Sequence, residues 1–123
     1  MLLHGLRGHA HSWDDVSAAT CQQYRVLALD QRGRGDSDWA KDGDYTTDAY
    51  VADLAAFSDA LGLDSFILCG HSMGGAIAQW YALNYPDELK GIVLIGTGAR
   101  LKVHPRYIQE AEEAESDTST WLQ

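Results

Sequence analysis

The sequence is poor in the residues and runs that mark several common classes of protein. It contains two cysteines and two prolines, so at most one disulfide can form and no disulfide framework is available. Because Cys69 lies in a predicted buried strand, we expect reduced thiols that act as small apolar fillers. No apolar run approaches the roughly 18 residues of a membrane span. The start, MLLHG, lacks the basic and apolar regions of a signal peptide, so we expect a cytoplasmic protein with no membrane partner.

Positive charge is also scarce. Nine Lys and Arg residues stand against 18 Asp and Glu residues, which gives a net charge of -9. A surface of this sign repels phosphate backbones, so nucleic acid is not an expected partner. No spacing of His, Cys or carboxylate residues suits a metal, and no glycine-rich phosphate loop carries the lysine that it needs. We therefore expect neither a metal nor a cofactor.

Strands and helices alternate along the sequence. This order predicts one α/β domain with a partial doubly wound, mostly parallel sheet and helices on both faces. The predicted strands cover residues 1–4, 24–29, 66–69 and 91–96, and the predicted helices cover residues 13–22, 47–61, 73–85 and 105–114. The continuous β-branched run of the last strand predicts burial on both of its faces. Ser12 with Asp15 predicts a capping box for the first helix, and Thr46 or Thr47 predicts the cap of the second.

The segment FILCGHSMGGA, residues 66–76, is the most informative part of the sequence. A strand-like apolar run turns into an apolar helix at Ser72, with Gly70 and Gly74 two residues to either side. Glycine is needed at both places because a strand that bends directly into a helix leaves no room for their side chains. The residue at the bend adopts a sparsely populated backbone conformation that exposes its hydroxyl. The pattern predicts Ser72 as a nucleophile and the Met73 N–H as an oxyanion donor.

Two further motifs fall where such a serine needs them. HGLRG, residues 4–8, follows the first predicted strand, and its glycine-flanked turn predicts the Leu6 N–H as the second oxyanion donor. DQRGRGDS, residues 30–37, is a glycine-bearing loop that follows the second predicted strand. Sites in doubly wound sheets lie beyond the carboxyl ends of the strands, which is where all three motifs are expected.

With these motifs in this order, residues 1 to about 105 resemble the α/β-hydrolase superfamily, in its cap-bearing branch of esterases, lactonases, carbon–carbon bond hydrolases and cofactor-free haloperoxidase-like enzymes. In that family the three motifs follow the third, fourth and fifth strands. Members with an aspartate nucleophile, such as epoxide hydrolases, differ at the apex, which is Ser72 here. The resemblance implies a serine hydrolase of small-molecule ester- or lactone-like substrates. It also implies a core over residues 1–104 and the start of a partly disordered cap or lid over residues 105–123.

The family usually places its catalytic aspartate and histidine after the seventh and eighth strands, and neither has a counterpart in this sequence. Met1 corresponds to a position inside the third strand. We therefore expect a chain truncated at both ends and nearly inactive alone, because no base takes the proton of Ser72. Two alternatives stay open: a non-catalytic fragment that serves as a binding scaffold, and one part of an enzyme completed by a separate chain. Exposed sheet edges predict self-association.

Other polar and aromatic residues have plainer interpretations than catalysis. His71 neighbours Ser72, but adjacent side chains diverge at a bend, so it is a poor candidate for the base. Asp30 is expected to accept hydrogen bonds from the amides of its own loop. The remaining histidines are expected to be hydrogen-bond partners, loop residues or linker residues: His4, His9, His11 and His104. The loop arginines, Arg32 and Arg34, are expected to pair with nearby carboxylates such as Asp36 and Asp38. Three tryptophans fill the core or line a pocket: Trp13, Trp39 and Trp80.

Overall fold

The computed structural model describes residues 1–100 and 102–116. Four strands form one parallel sheet: β1 Leu2–Leu3, β2 Ala28–Leu29, β3 Phe66–His71 and β4 Leu89–Ile95. Four α-helices accompany the sheet: α1 Asp14–Thr20, α2 Thr47–Ala60, α3 Met73–Asn84 and α4 Pro105–Ser116. Two short 3-10 helices, Ala10–Trp13 and Pro86–Glu88, precede α1 and β4. The structure thus has the predicted α/β class and parallel sheet.

The hydrophobic core lies between the central strands and helices α2 and α3. Leu54 on α2, Leu68 on β3 and Tyr81 on α3 are at most 1% exposed and belong to one apolar cluster. The Tyr81 hydroxyl donates a hydrogen bond to Glu88, so this buried donor is satisfied. Thr46 is the N-cap of α2, and its Oγ1 accepts the Ala49 N–H at 3.3 Å, which confirms the predicted cap.

The direction of the strand order reverses at the centre of the sheet. The spatial order is β2-β1-β3-β4, so the chain leaves β1 toward one side and leaves β3 toward the other. Leu3 of β1 and Gly70 of β3 are register partners, and the carboxyl ends of these two strands therefore border a crevice. In open parallel sheets such a reversal is where ligands bind. The turn after β1 carries Leu6, and the bend after β3 carries Ser72.

Strand β4 is not buried on both faces, as its sequence predicted. The side chains of Ile92, Val93, Leu94 and Ile95 are between 38% and 45% exposed. The strand lies at an edge of the sheet, and within the described residues β3 is its only strand partner. Burial on both faces needs neighbours that a β-branched run cannot specify by itself.

Two predictions near the N-terminus are also wrong. The second strand shrinks from residues 24–29 to Ala28–Leu29 because only these two residues pair with β1. The predicted capping box of Ser12 with Asp15 does not form. Ser12 Oγ instead accepts the N–H of His9 at 3.2 Å, because a 3-10 helix begins at Ala10 before the α-helix does.

Both cysteines are free. Cys69 is half-buried in β3, and burial raises the pKa of its thiol, in agreement with a filling role. Cys21 is exposed at the C-cap of α1, so its predicted role as a filler is wrong. The predicted C-terminal helix is present as α4, whereas the disorder predicted for the last residues falls, beyond Ser116, outside the described residues. No helix in the described ranges has the length and apolar character needed to cross a bilayer.

Candidate active site

Ser72 occupies the bend between β3 and α3. Its φ of 50° and ψ of -115° make it the one non-glycine residue with positive φ among the described residues, a conformation that costs about 1–3 kcal/mol. Hydrogen bonds to the N–H and carbonyl groups of Ser72 hold the residue in this conformation. The Ser72 N–H donates to the Ile95 carbonyl at 3.0 Å, and the Ser72 carbonyl accepts the N–H groups of Gly75 and Ala76. The Thr97 hydroxyl donates to the same carbonyl at 2.9 Å, a contact that the sequence did not predict.

The two glycines that flank the bend are required by close backbone approaches. A Cβ on Gly70 would lie 2.2 Å from the carbonyl oxygen of Gly74. A Cβ on Gly74 would lie 2.4 Å from the carbonyl oxygen of Leu3. Both distances are far inside van der Waals contact. The predicted need for glycine at both positions is confirmed, and the second contact ties the bend directly to the end of β1.

The turn after β1 lies against this bend. The Gly8 N–H donates to the Gly5 carbonyl at 3.0 Å and closes the turn. A Cβ on Gly5 would lie 3.4 Å from the Ser72 Cβ, so the two segments are in van der Waals reach. In the part of the chain that the structure describes, neither the Leu6 N–H nor the Met73 N–H has a hydrogen-bond acceptor. Two backbone donors from separate segments thus stay available to a ligand.

A cleft of about 970 Å³ opens at the bend. Its volume falls at the upper end of the range of roughly 300–1,000 Å³ that is typical of small-molecule sites. The structure brings all three predicted site residues, Leu6, Ser72 and Met73, into the lining of this one cleft. The full lining is His4, Gly5, Leu6, Arg7, Gly8, Ser12, Trp13, Val16, His71, Ser72, Met73, Ile95, Lys102, Val103, His104 and Tyr107. None of these residues is a carboxylate.

His4 supports the turn after β1 through its hydrogen bonds. Its side chain is 1% exposed, its Nδ1–H donates to the Gly5 carbonyl at 2.7 Å, and its Nε2 accepts the Gln31 N–H at 3.2 Å. These two partners define a neutral tautomer, and burial lowers the pKa of His4. The buried Gln31 side chain donates in turn to the His4 carbonyl at 2.8 Å. The predicted hydrogen-bonding role of His4 is confirmed, whereas the role of Gln31 was not predicted.

Asp30 organises the glycine-bearing loop, as expected. Its carboxylate accepts the N–H groups of Ala10 at 2.6 Å and Asp36 at 3.0 Å, and these bonds lower the pKa of Asp30. The Ser37 hydroxyl donates to the Asp30 carbonyl at 2.5 Å. A Cβ on Gly35 would lie 2.2 Å from the carboxyl carbon of Asp30. The aspartate and the later glycine of this motif therefore depend on each other.

Arg32 pairs with a carboxylate, as expected, but with Asp53 rather than with either of the two aspartates named as examples. Arg32 makes two hydrogen bonds to the Asp53 carboxylate on α2, at 2.6 Å and 2.7 Å. A third bond, to the Asp44 carbonyl at 2.6 Å, directs the guanidinium away from its own loop, so the predicted pairing with Asp36 and Asp38 does not occur. Arg34 forms no salt bridge with any described residue.

None of the histidines among the described residues is hydrogen-bonded to Ser72. The Ser72 hydroxyl has no side-chain hydrogen-bond partner there, and His71 lines the cleft without bonding to it. His104 also lines the cleft, although the sequence predicted only a linker role, and its Nδ1 accepts the Arg106 N–H. His9 and His11 are exposed and lie outside the lining. The described ranges also hold no group of three or more residues that could bind a metal ion.

The three tryptophans differ in environment. Trp13 is 7% exposed and lines the cleft, and its Nε1–H has no hydrogen-bond acceptor among the described residues. Trp80 is partly exposed, and its indole donates to Asp48 at 2.5 Å. Trp39 is 72% exposed. Trp13 thus fits both of the predicted alternatives, and Trp39 fits the second because it lines another cleft, beside α2.

Comparison with known proteins places this geometry in a family. A model of the alpha/beta hydrolase fold matches residues 1–123. N-formylmaleamate deformylase of Pseudomonas putida is 41% identical over 95 residues, which cover 77% of this chain and 35% of that protein. Epoxide hydrolase 4 of Mus musculus is 38% identical over 96 residues, which cover 77% of this chain and 27% of that protein.

Solved structures agree with these sequence matches. A thermophilic esterase from Thermogutta terrifontis superposes with a TM-score of 0.82 at 33% identity, over 94% of this chain and 43% of that one. The chain therefore spans less than half of the length of each of these proteins. All three are named as hydrolases or carry out a named hydrolytic reaction. The sequence motifs, the parallel sheet and the family match together establish that this chain belongs to the α/β-hydrolase family.

Proposed function

We propose that this chain carries the nucleophile and both oxyanion donors of a serine hydrolase that acts on esters, lactones or related acyl or carbon–carbon bonds of small molecules. One observation carries the proposal. Ser72 has a strained backbone at the point where the strand order reverses, beside a cleft that also presents two unbonded backbone N–H groups. Strain of this kind is concentrated at functional sites in proteins.

The proposed reaction begins with attack of Ser72 Oγ on a substrate carbonyl carbon. The carbonyl oxygen then takes up negative charge and accepts hydrogen bonds from the Leu6 and Met73 N–H groups. The alcohol or other leaving group departs with the proton that Ser72 loses, which leaves an acyl-enzyme. Water then adds its hydroxyl to the acyl carbon and its proton to Ser72 Oγ, which releases the acid and restores the serine. No carboxylate among the described residues lines the cleft, which spares the developing oxyanion from nearby negative charge.

Two of the three relatives have names that indicate acyl chemistry, and the third does not. A deformylase and an esterase both act on carbonyl carbons, whereas epoxide hydrolase 4 is named for a substrate without a carbonyl. Epoxide hydrolases of this family resemble the chain outside the apex but have an aspartate nucleophile there. A serine at position 72 therefore favours the acyl reaction over epoxide opening.

We further propose that the 123-residue chain by itself turns over slowly. A serine hydroxyl without a base is a weak nucleophile near neutral pH. Loss of a triad serine or histidine typically removes about 10⁶-fold in turnover, whereas the oxyanion hole and binding alone retain about 10³-fold over water. Ester turnover below about 1 s⁻¹ is the expected result. A p-nitrophenyl ester assay above this rate that is abolished in Ser72→Ala would contradict this part of the proposal.

A fluorophosphonate probe tests the nucleophile directly. We expect slow, stoichiometric labelling of the folded chain at Ser72, located by mass spectrometry of the peptide that contains it. Ser72→Ala should remove the label, and Ser65→Ala is the matched control because Ser65 is exposed in the loop before β3. No labelling of a demonstrably folded parent chain, or equal labelling of Ser72→Ala, would refute the assignment.

A second candidate is a scaffold or one part of an enzyme that a separate chain completes. The observation that favours it is the apolar, exposed edge strand β4, because unpaired edges recruit further strands. Size-exclusion chromatography at several concentrations distinguishes the possibilities. A compact monomer throughout would contradict association through this edge.

A further inference from the structure

Arg7 occupies the tip of the turn whose Leu6 N–H is the proposed oxyanion donor. The turn is closed at its base by the bond from the Gly8 N–H to the Gly5 carbonyl, and its base is supported by the buried His4. Arg7, by contrast, has a side chain that is 66% exposed. The position of the tip therefore depends on the contacts that the Arg7 side chain makes.

The Arg7 side chain contacts helix α4 in two ways. Its guanidinium donates a hydrogen bond to the Glu110 carboxylate and forms a salt bridge with it. The guanidinium carbon also lies 4.7 Å from the centre of the Tyr107 ring, within the range of a cation–π interaction. Tyr107 and Glu110 are three residues apart and so lie on one face of the helix. An arginine suits this arrangement because its planar group can stack on a ring while its edge donates to a carboxylate.

Glu110 is itself held in place by a second arginine. Arg106 Nε donates to Glu110 Oε1 at 2.8 Å across one helical turn. The carboxylate therefore bridges one cation of its own helix and one from the turn after β1. Bonds from Arg106 and Arg7 also lower the pKa of Glu110, so the carboxylate stays charged at neutral pH.

The two segments joined by Arg7 both line the cleft. Leu6 and Arg7 line it from the turn, and His104 and Tyr107 line it from α4 and the residue before it. The Arg7 contacts therefore connect α4 to the turn that carries Leu6. Each of the two Arg7 contacts is weak because it is exposed to solvent. Together they therefore fasten α4 to the turn reversibly.

We propose that Arg7 is a positioning residue. Its contacts with Tyr107 and Glu110, together called the Arg7 clamp, hold α4 across the mouth of the cleft and keep the Leu6 N–H directed at the oxyanion position. The role given to Leu6 rests on the proposed function above, whereas the fastening of α4 does not.

Hydrogen–deuterium exchange on the intact 123-residue chain tests the fastening. Arg7→Ala and Glu110→Gln should each raise the exchange rate of residues 105–116 about five-fold, the size expected for one or two exposed contacts. Arg7→Lys should fall between Arg7→Ala and the parent, because lysine keeps the charge but loses the planar stack on Tyr107. Glu112→Gln is the matched control, with the same charge change two residues along the same helix. Exchange of β3 should stay constant in all variants if the fold is intact.

Two exchange results would overturn the clamp: unchanged exchange of residues 105–116 in Arg7→Ala, or equal effects of Glu110→Gln and Glu112→Gln. The positioning role is judged by the rate of fluorophosphonate labelling at Ser72, which we expect to fall about five- to ten-fold in Arg7→Ala and to recover partly in Arg7→Lys. Faster exchange with an unchanged labelling rate would show that Arg7 fastens α4 without positioning Leu6, and would refute that role. A parent chain that takes up no label refutes the proposed function, while the exchange comparison still decides the clamp.

Discussion

Replacing Gly70 by alanine is the most direct test of the bend at Ser72. The added Cβ would lie 2.2 Å from the Gly74 carbonyl oxygen, 2.5 Å from its carbonyl carbon and 2.6 Å from the Gly75 nitrogen. Normal carbon contacts begin at about 3.5 Å, so the first turn of α3 has to move by about 1 Å or more. All three obstacles are backbone atoms, and no change of rotamer relieves them.

The expected cost follows from this geometry. Overpacking in a core typically costs about 1–3 kcal/mol when side chains can yield. Because only backbone can yield here, we expect a loss of about 3–5 kcal/mol, a large share of the roughly 5–15 kcal/mol that stabilises a small domain. Gly91 is the matched control on the neighbouring strand, since a Cβ there meets no atom within 4 Å. Gly91→Ala should be neutral or stabilise by up to about 1 kcal/mol, through the unfolded chain.

Urea unfolding followed by the fluorescence of the four tryptophans measures both variants. With a slope of about 1–3 kcal/mol per molar urea, the Gly70→Ala midpoint should fall by about 1 M or more, or the transition should vanish altogether. The Gly91→Ala midpoint should stay at or above that of the parent. Midpoints of the two variants within about 0.3 M of each other would refute the steric account of the bend.

Three other changes have expected outcomes in the same assay. Ser72→Gly should raise the free energy of unfolding by about 1 kcal/mol and abolish labelling, since glycine accepts the positive φ; a lower midpoint would contradict the strain. Burial lowers the pKa of His4 in the folded protein. As the pH falls below about 6.5, the unfolded state therefore binds more protons than the folded state, and the free energy of unfolding decreases. His4→Gln should reduce this dependence of stability on pH. Arg32→Lys should cost about 1 kcal/mol because lysine cannot make both bonds to Asp53, whereas Arg34→Lys should stay within about 0.5 kcal/mol.

The features that sequence predicts well are local ones. Gly70 and Gly74 flank Ser72 within five residues, and the steric reason for them lies in the bend itself. The meeting of Leu6 with Ser72 involves distant segments, but a parallel sheet brings the carboxyl ends of neighbouring strands together whatever their separation in sequence. Motif order and a βα rhythm were therefore sufficient to predict that Leu6, Ser72 and Met73 line one cleft.

The features that sequence did not predict depend on register and on neighbours. Thr97 reaches the Ser72 carbonyl across 25 residues, and Gln31 reaches His4 across 27. Arg32 bonds to Asp53 on α2 although carboxylates stand closer in sequence. Hydroxyls, amides and guanidinium groups have many possible partners, and only the folded geometry chooses among them. For β4, an edge strand and a central strand can share one composition.

The exposed strand β4 helps to hold Ser72 in its strained conformation. The Ser72 peptide groups take part in four hydrogen bonds, of which those to the Ile95 carbonyl and from the Thr97 hydroxyl come from β4 and the residues just after it. At about 0.5–1.5 kcal/mol each, the four bonds supply roughly 2–6 kcal/mol against the roughly 1–3 kcal/mol of strain at Ser72. Without the two hydrogen bonds from β4 and the residues just after it, the remaining bonds only offset the strain at Ser72. We therefore expect the bend to keep its geometry only while β4 stays in register with β3. A strand or partner chain that pairs with the open edge of β4 would therefore stiffen the nucleophile as well as cover apolar surface. Association at that edge and reactivity at Ser72 are thus expected to rise together.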